Sequence, residues 1–159
     1  MAEQGITVTT NFDLKKITLD LHKELNLAAG MIIKDIVKNN EKGLDIEGKK
    51  FKPLKASTIK AKRAKGSSDP SRALYDTGRM LGRGSVKGTG GRGPYISKRA
   101  KKMDQESHVS IAKDREDIGA YHNEGRGVPK REWFGISKKA EKDIMRMAEL
   151  RIEEMIRRA

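Results

Sequence analysis

The sequence predicts an α+β fold in which long N-terminal and C-terminal helices pack on a small, mostly antiparallel sheet. Two stretches near the ends carry apolar residues at spacings of three and four, which places those residues on one helical face. Between them lie short segments where apolar and polar residues alternate, as in half-buried strands. The 159 residues suffice for a single domain, 1–159, with a modest core.

The first amphipathic stretch predicts a helix from Asp13 to about Asn39. Asn11 or Asp13 can cap its start, and the turn-forming residues Asn40 and Gly43 end it. Its apolar positions are Leu14, Ile17, Leu21, Leu25, Ala28, Ile32 and Ile36.

The next segment predicts a short extended pair followed by a brief helix. Apolar residues alternate with polar ones from Leu44, and Gly48 permits a turn between the two extended arms. Pro53 prevents a helix from running through that point, so the helix is expected to begin at Ser57 or Thr58.

The second half predicts one strand and a terminal helix. In "SHVSIA" the side chains of Val109 and Ile111 alternate inward, while "DIGAYHNEG" fits either another strand or a short helix. Ser137 is a suitable N-cap for the C-terminal helix. The apolar stripe of that helix consists of Ala140, Ile144, Ala148, Ile152, Met155 and Ile156.

The positive charge is concentrated in the middle third of the chain. Residues 1–48 hold 6 basic and 8 acidic side chains, residues 49–102 hold 17 and 2, and residues 103–159 hold 12 and 12. A surface that only keeps a protein soluble mixes both signs. This block therefore indicates contact with a polyanion, such as DNA in a channel, or with an acidic partner protein.

The glycine-rich part of this block predicts a flexible basic loop over residues 78–102. Seven glycines lie between Gly78 and Gly93, and ordering them carries a heavy entropic cost. The residues predicted to contact DNA or an acidic partner are Lys60, Lys62, Arg63, Lys65, Arg79, Arg83, Lys87, Arg92, Lys98, Arg99, Lys101 and Lys102.

The motifs do not indicate an enzyme, a cofactor or a metal site. "GTGGRG" at 88–93 matches a dinucleotide fingerprint as a string, but it lacks the strand before it and the helix after it. His122 and Glu124 leave a metal-dependent nuclease open as a distant alternative, without the usual spacing of metal ligands. A hydrogen-bonded His122 at a strand end is the simpler interpretation.

The composition predicts a soluble protein made in the cytoplasm, with no membrane contact and no small-molecule substrate. There is no cysteine, which excludes disulfides and thiolate metal sites. No stretch approaches the roughly 18 apolar residues of a membrane span. Hydrophobic residues make up 35% and aromatic residues 4% of the chain, so we expect part of it to gain order from partners.

The stretch "YHNEGRGVPKREWFGIS", residues 121–137, predicts a structural corner before the last helix. A proline fixes φ, an arginine can tie the corner through its guanidinium, and two large aromatic side chains can fill apolar space. The residues predicted for this corner, or for a subunit interface, are Tyr121, His122, Pro129, Arg131, Trp133 and Phe134.

Three blocks of the sequence, "GKKFKPLKASTIKAK", "LYDTGRML" and "AYHNEG" with "VPKREWFGIS", are similar to a known pattern. In order and spacing they resemble the phage virion morphogenesis family, the tail completion proteins of Mu-like and P2-like phages. The matching positions are Gly48, Phe51, Pro53, Leu54, Thr58, Leu74, Thr77, Gly78, Tyr121, His122, Gly125, Pro129, Arg131, Phe134 and Gly135.

This resemblance implies a virion structural protein at the junction of head and tail, assembled in the host cytoplasm. It implies a homo-oligomeric ring, with sixfold symmetry favoured and twelvefold symmetry as the alternative, that contacts neighbouring neck or tail proteins. It implies no catalysis. The alternative from the charge distribution alone is a free nucleic-acid-binding protein that uses residues 49–102.

Overall fold

The computed structural model describes residues 20–75, 93–111 and 115–158, and these ranges form the predicted α+β fold. The described elements are four helices and one two-stranded antiparallel sheet. In chain order they are α1 (His22–Glu41), α2 (Ala56–Ala64), β1 (Tyr95–Lys98), β2 (His108–Ser110), α3 (Glu116–Glu124) and α4 (Lys138–Arg158).

Helix α1 begins at His22 in the described residues, later than the predicted start at Asp13. The Asp20 carboxylate accepts a hydrogen bond from the His22 ring nitrogen Nδ1 at 2.7 Å, immediately before the first turn. The predicted caps, Asn11 and Asp13, lie outside the described residues. The predicted end is confirmed, since α1 stops at Glu41 and Gly43 follows with φ of +69°.

The extended pair after α1 is confirmed in its shortest form, a single antiparallel bridge between Leu44 and Lys50. Asp45 builds the turn, because its carboxylate accepts hydrogen bonds from the backbone N–H groups of Glu47 at 2.9 Å and Lys49 at 2.8 Å. Gly48 has φ of +81°, which any other residue would adopt only with strain. The brief helix α2 then begins at Ala56, one residue before the predicted Ser57.

The prediction of a flexible loop is wrong for residues 95–98, which form strand β1. Tyr95 pairs with Ser110 and Ile96 pairs with Val109, so β1 is the antiparallel partner of the strand predicted in "SHVSIA". Tyrosine and isoleucine favour strands, and the surrounding lysines and arginines obscured this short β signal. Residues 78–92 of the predicted loop lie outside the described residues.

Helix α1 is the central layer of the fold. It contacts both strands and α4, whereas α4 and the strands do not contact each other within the described ranges. Arg151 of α4 forms an ion pair with Glu24 of α1, with Nε 2.8 Å from Oε1.

The Asn26 side chain fixes α1 to the connection between the strands. Its amide donates to the Ala100 carbonyl at 2.8 Å and accepts from the Ala100 N–H at 2.9 Å, as a paired strand residue would. The Ser107 hydroxyl adds a third hydrogen bond, to Asn26 Oδ1 at 3.2 Å. One side chain therefore sets the position of the hairpin on the helix.

The core is small and centres on Trp133, Ile36 and Ile111. Ile111 is buried as predicted, and Ala140 is the buried start of the α4 stripe. Ile156, predicted in the same stripe, is 47% exposed because α4 reaches beyond the core at its C-terminal end. The partly buried side chains packed against the core centre are Ile32, Phe51, Leu74, Tyr75 and Phe134.

Candidate functional site

The segment 121–137 folds back on α3 and is held there by Asn123. The Asn123 side-chain oxygen Oδ1 accepts hydrogen bonds from the backbone N–H groups of Trp133 at 3.0 Å and Phe134 at 3.1 Å. Its amide nitrogen donates to the Phe134 carbonyl at 2.8 Å. A side chain that satisfies three backbone groups fixes the local path of the chain.

The segment "DIGAYHNEG", for which the sequence left a strand or a short helix open, is helical. It forms most of α3, and Gly125 is the C-cap of that helix. Gly125 has φ of +78° and its N–H donates to the Tyr121 carbonyl at 2.8 Å. A Cβ at this position would lie 3.2 Å from the backbone nitrogen of Lys130, so the returning chain would have to shift to admit a side chain. His122 therefore lies in the last turn of a helix, and the prediction that it ends a strand is wrong.

Arg131 ties the corner to a distant part of the chain. Its guanidinium donates to the Pro129 carbonyl at 3.3 Å and to the Lys52 carbonyl at 3.2 Å. The side chain is buried, with 3% of its surface exposed, and burial lowers the pKa of Arg131. Among the described residues it has no carboxylate partner, so backbone carbonyls carry the stabilisation of its charge.

His122 lies directly against this arginine. Its Nδ1 is 3.5 Å from Arg131 Nη1, and its carbonyl accepts the Arg131 N–H at 2.7 Å. Burial, with a smaller contribution from the Arg131 charge, lowers the pKa of His122. The imidazole is therefore neutral near pH 7 and can accept the guanidinium hydrogen bond.

The two side chains that a metal-dependent nuclease would need have different partners. His122 faces Arg131, whereas Glu124 is paired with Arg126. Within the ranges that the structure describes, no three histidine, aspartate or glutamate side chains group closely enough to hold a metal ion.

We expect the folded protein to lose stability as the pH falls below about 6.5, the usual histidine pKa. The folded-state pKa of His122 is lowered, so the unfolded chain binds this proton first on acidification, and protonation favours unfolding. Urea unfolding of wild type and His122→Gln between about pH 7 and pH 5 measures the effect.

The stability difference between wild type and His122→Gln should change with pH, because only wild type carries this titrating group. His108→Gln is the comparison: it removes an exposed imidazole 3.3 Å from Glu106 that favours the folded state when protonated, so the variant should lose at least as much stability on acidification as wild type. Equal pH dependence in wild type and His122→Gln would contradict the assignment.

Trp133 is the centre of the corner and is 1% exposed. Its indole N–H donates to the Gly119 carbonyl at 3.2 Å. A Cβ on Gly119 would lie 2.6 Å from Ile111 Cδ1 and 3.2 Å from Trp133 Cζ2, so the absent side chain leaves space for the ring. The Phe134 ring packs beside it, with the two ring centroids 5.4 Å apart.

Other predicted corner residues have different environments. Tyr121 is 45% exposed and Pro129 is exposed, so both are available to a neighbouring molecule. Ser137 caps α4 as predicted, because its hydroxyl accepts the Ala140 N–H at 3.1 Å. Sequence reasoning missed Asn123 and Gly119 as positioning residues.

The residues predicted to contact a polyanion differ in their environments: one is buried, one is ion-paired, several are exposed and the others lie outside the described residues. Lys62 is buried at 7% exposure, and its ammonium donates to the Arg72 carbonyl at 2.6 Å, so this residue is an anchor and its prediction as a contact is wrong. Lys98 is paired with Glu106. Exposed positions are Lys60, Arg63, Lys65, Arg99, Lys101 and Lys102, whereas Arg79, Arg83, Lys87 and Arg92 lie outside the described residues.

The basic segment, residues 49–65, contains no acidic residue, and five of its exposed cations have no carboxylate partner among the residues that the structure describes. Elsewhere cations are often neutralised, as in the pairs Lys130–Glu132 and Lys139–Asp143. Within the described ranges, no ion pair forms at Lys50, Lys52, Lys55, Lys60 or Arg63.

Comparison of the chain with models of known protein families, with curated proteins and with solved structures found no match. No helix in the described ranges is both long enough and apolar enough to cross a membrane. The function is therefore inferred from the geometry and from the sequence blocks themselves.

Proposed function

We propose that this protein is a structural subunit of a phage virion that acts at the head–tail junction, as a tail completion or neck protein in a homo-oligomeric ring. The subunit contributes contact surfaces rather than catalysis. Ring formation lets each copy cover apolar surface that a single copy leaves in water.

The observation that carries this proposal is the distribution of apolar side chains. Half of the buried apolar residues in the described ranges are alanines, namely Ala29, Ala100 and Ala140, beside Ile36, Ile111 and Trp133. Large apolar side chains remain exposed on α1, α3 and α4 and in two connecting segments. They are Leu27, Met103, Ile118, Tyr121, Ile136, Met145, Leu150 and Ile156.

These exposed side chains support contacts with other protein subunits. Leu150 is 58% exposed and Met145 is 57% exposed on α4, the helix that packs against α1. In the proposed ring, contacts with neighbouring copies cover these side chains. The virion assignment itself rests on the sequence blocks that resemble the tail completion family.

The corner gives the resembling positions physical roles. Gly125 permits the helix end, Arg131 joins the corner to Lys52, and Phe134 packs on Trp133. Gly135 lies close to Ile46, since a Cβ there would be 3.4 Å from two atoms of that side chain. Each of these positions constrains the shape of the subunit, which supports a structural role.

A free nucleic-acid-binding protein is the second candidate, favoured by the five cations of the basic segment, Lys50, Lys52, Lys55, Lys60 and Arg63, that form no ion pair within the described ranges. This candidate predicts that the isolated protein binds nucleic acid as a monomer and that its gene is dispensable for particle assembly. The two candidates therefore differ in what happens to particles made without the protein.

Deletion of the gene from the phage that encodes this chain is expected to yield filled heads and unattached tails. Electron microscopy of the lysate and a plaque assay measure the outcome. A plasmid copy of the wild-type gene should restore infectious particles, whereas a copy with Met145→Ser and Leu150→Ser should not. Lys142→Ser, an exposed change on the same helix, is the matched control and should restore them.

Intact, infectious particles from the deletion would contradict the proposed function. The serine variants should unfold within about 0.5 kcal/mol of wild type, because exposed substitutions rarely change stability by more. A failure to complement would then report a lost contact rather than a misfolded subunit.

A further inference from the structure

We propose that the basic segment, residues 49–65, is a binding site for the phosphate backbone of duplex DNA. The site deepens the proposed function, on which the choice of DNA as the polyanion rests. Its contact residues are Lys50, Lys52, Lys55, Lys60 and Arg63, and Lys62 is excluded because its ammonium is buried.

Helix α2 is accessible to a large ligand. Among the described elements it packs against no other helix or strand. Lys62 fastens it to the loop that follows, through the hydrogen bond from its ammonium to the Arg72 carbonyl. Lys60 and Arg63, three positions apart, are neighbours on the helix surface and both are exposed.

The segment has the composition of a phosphate contact and lacks that of a protein interface. The large apolar side chains that are exposed in the described ranges all lie outside it. Between its cations the exposed residues of α2 are small or hydroxylated: Ala56, Ser57, Thr58, Ala61 and Ala64. Interfaces with protein use aromatic and aliphatic anchors, whereas phosphate contacts use lysine, arginine and hydroxyl groups.

The segment also favours duplex over single-stranded DNA. Binding of single strands relies on aromatic side chains that stack on bases. Phe51 is the aromatic residue of the segment, and it packs against the core. Tyr75 lies beyond the segment, and its ring is covered by the Arg72 guanidinium at 4.4 Å. The site is therefore expected to bind backbone without reading sequence.

The corner holds this site in place. Arg131 donates to the Lys52 carbonyl, and Ile46 donates its N–H to the Glu132 carbonyl at 2.9 Å. The chain that leads into α2 is thus fixed at two points to the segment before α4. A preorganised cation array loses less entropy on binding than a free tail of the same charge.

The test is the binding of a labelled DNA duplex to the full-length protein at salt concentrations of about 50 and 200 mM. The site variant is Lys55→Gln, Lys60→Gln and Arg63→Gln together. The control variant is Lys138→Gln, Lys142→Gln and Arg146→Gln, which removes the same net charge from exposed positions on α4. Circular dichroism checks that both variants are folded.

The site variant is expected to reduce the slope of log affinity against log salt by about 2.7, because each lost phosphate contact contributes about 0.9. Over that salt range, wild type should then lose about 40-fold more affinity than the site variant. The control variant should keep the wild-type slope. Equal losses in both variants, or an unchanged slope in the site variant, would overturn the proposal.

Competition identifies the ligand. Unlabelled duplex should displace the labelled duplex, whereas polyglutamate at equal charge concentration should not. Displacement by polyglutamate would instead assign the segment to an acidic protein partner, and tighter binding of single strands would exclude the duplex. Failure of these assays leaves the particle experiment unaffected, so the two proposals can fail separately.

Discussion

Replacement of Trp133 by alanine is expected to destabilise the protein by about 3–5 kcal/mol, the range for large-to-small aromatic substitutions in cores. The ring is the largest fully buried side chain in the described ranges and lies between α3, Ile36 and Ile111. Small domains are stable by only about 5–15 kcal/mol, so the variant should be close to unfolding. Far-UV circular dichroism during urea unfolding measures the change.

A conservative variant separates the volume of the ring from its hydrogen bond. Trp133→Phe keeps an aromatic ring but removes the N–H that donates to the Gly119 carbonyl. It is expected to lose less stability than the alanine variant. Because the chain has 1 tryptophan, wild-type fluorescence also reports on this core directly. An alanine variant as stable as wild type would show that the core does not depend on Trp133.

Replacement of Arg131 by alanine is expected to destabilise the protein by about 1–3 kcal/mol, because the guanidinium makes two hydrogen bonds to backbone carbonyls and each contributes about 0.5–1.5 kcal/mol. The carbonyls of Pro129 and Lys52 would both lose their donor. Loss of the link to Lys52 should also release the segment that leads into α2. Hydrogen exchange should therefore accelerate in residues 52–64, besides the drop in urea midpoint.

A nearby arginine supplies the matched control. Arg126 is exposed and paired with Glu124, so Arg126→Ala should change stability by no more than about 0.5 kcal/mol. Arg131→Lys keeps the charge but cannot reach two carbonyls with a planar fork, so it should also be destabilised. Wild-type stability in Arg131→Ala would refute the role of the corner.

The long helices were predictable because their signals are local, whereas the sequence left α3 open between a strand and a short helix. The apolar spacing of α4 and the Ser137 cap lie within one segment, and both are confirmed by the structure. Strand β1 was missed because its four residues are stabilised by pairing with 108–110, which lies beyond any local window. Helix α1 begins only at His22, because Asp20 and Leu21 inside the predicted helix are not helical, and the Asp20 carboxylate accepts a hydrogen bond from the His22 ring instead.

The candidate site was only partly predictable for the same reason. Proline, arginine and aromatic residues in "VPKREWFGIS" indicated a corner, but nothing local indicated that Asn123 satisfies three backbone groups. The burial of Lys62 could not be read from a lysine-rich stretch, because its acceptor is the carbonyl of Arg72. A glycine within a helical pattern, at 119, was the available sequence signal that another side chain, here the Trp133 ring, approaches the helix backbone closely.

The hydrogen bond between Arg131 and the Lys52 carbonyl can form only late in synthesis. The two residues are 79 positions apart, so the α2 region leaves the ribosome long before the guanidinium that fixes it exists. At about 5–20 residues per second, that delay lasts several seconds. During this interval the lysine-rich stretch has only local anchors, and the subunit takes its final shape when its last third arrives.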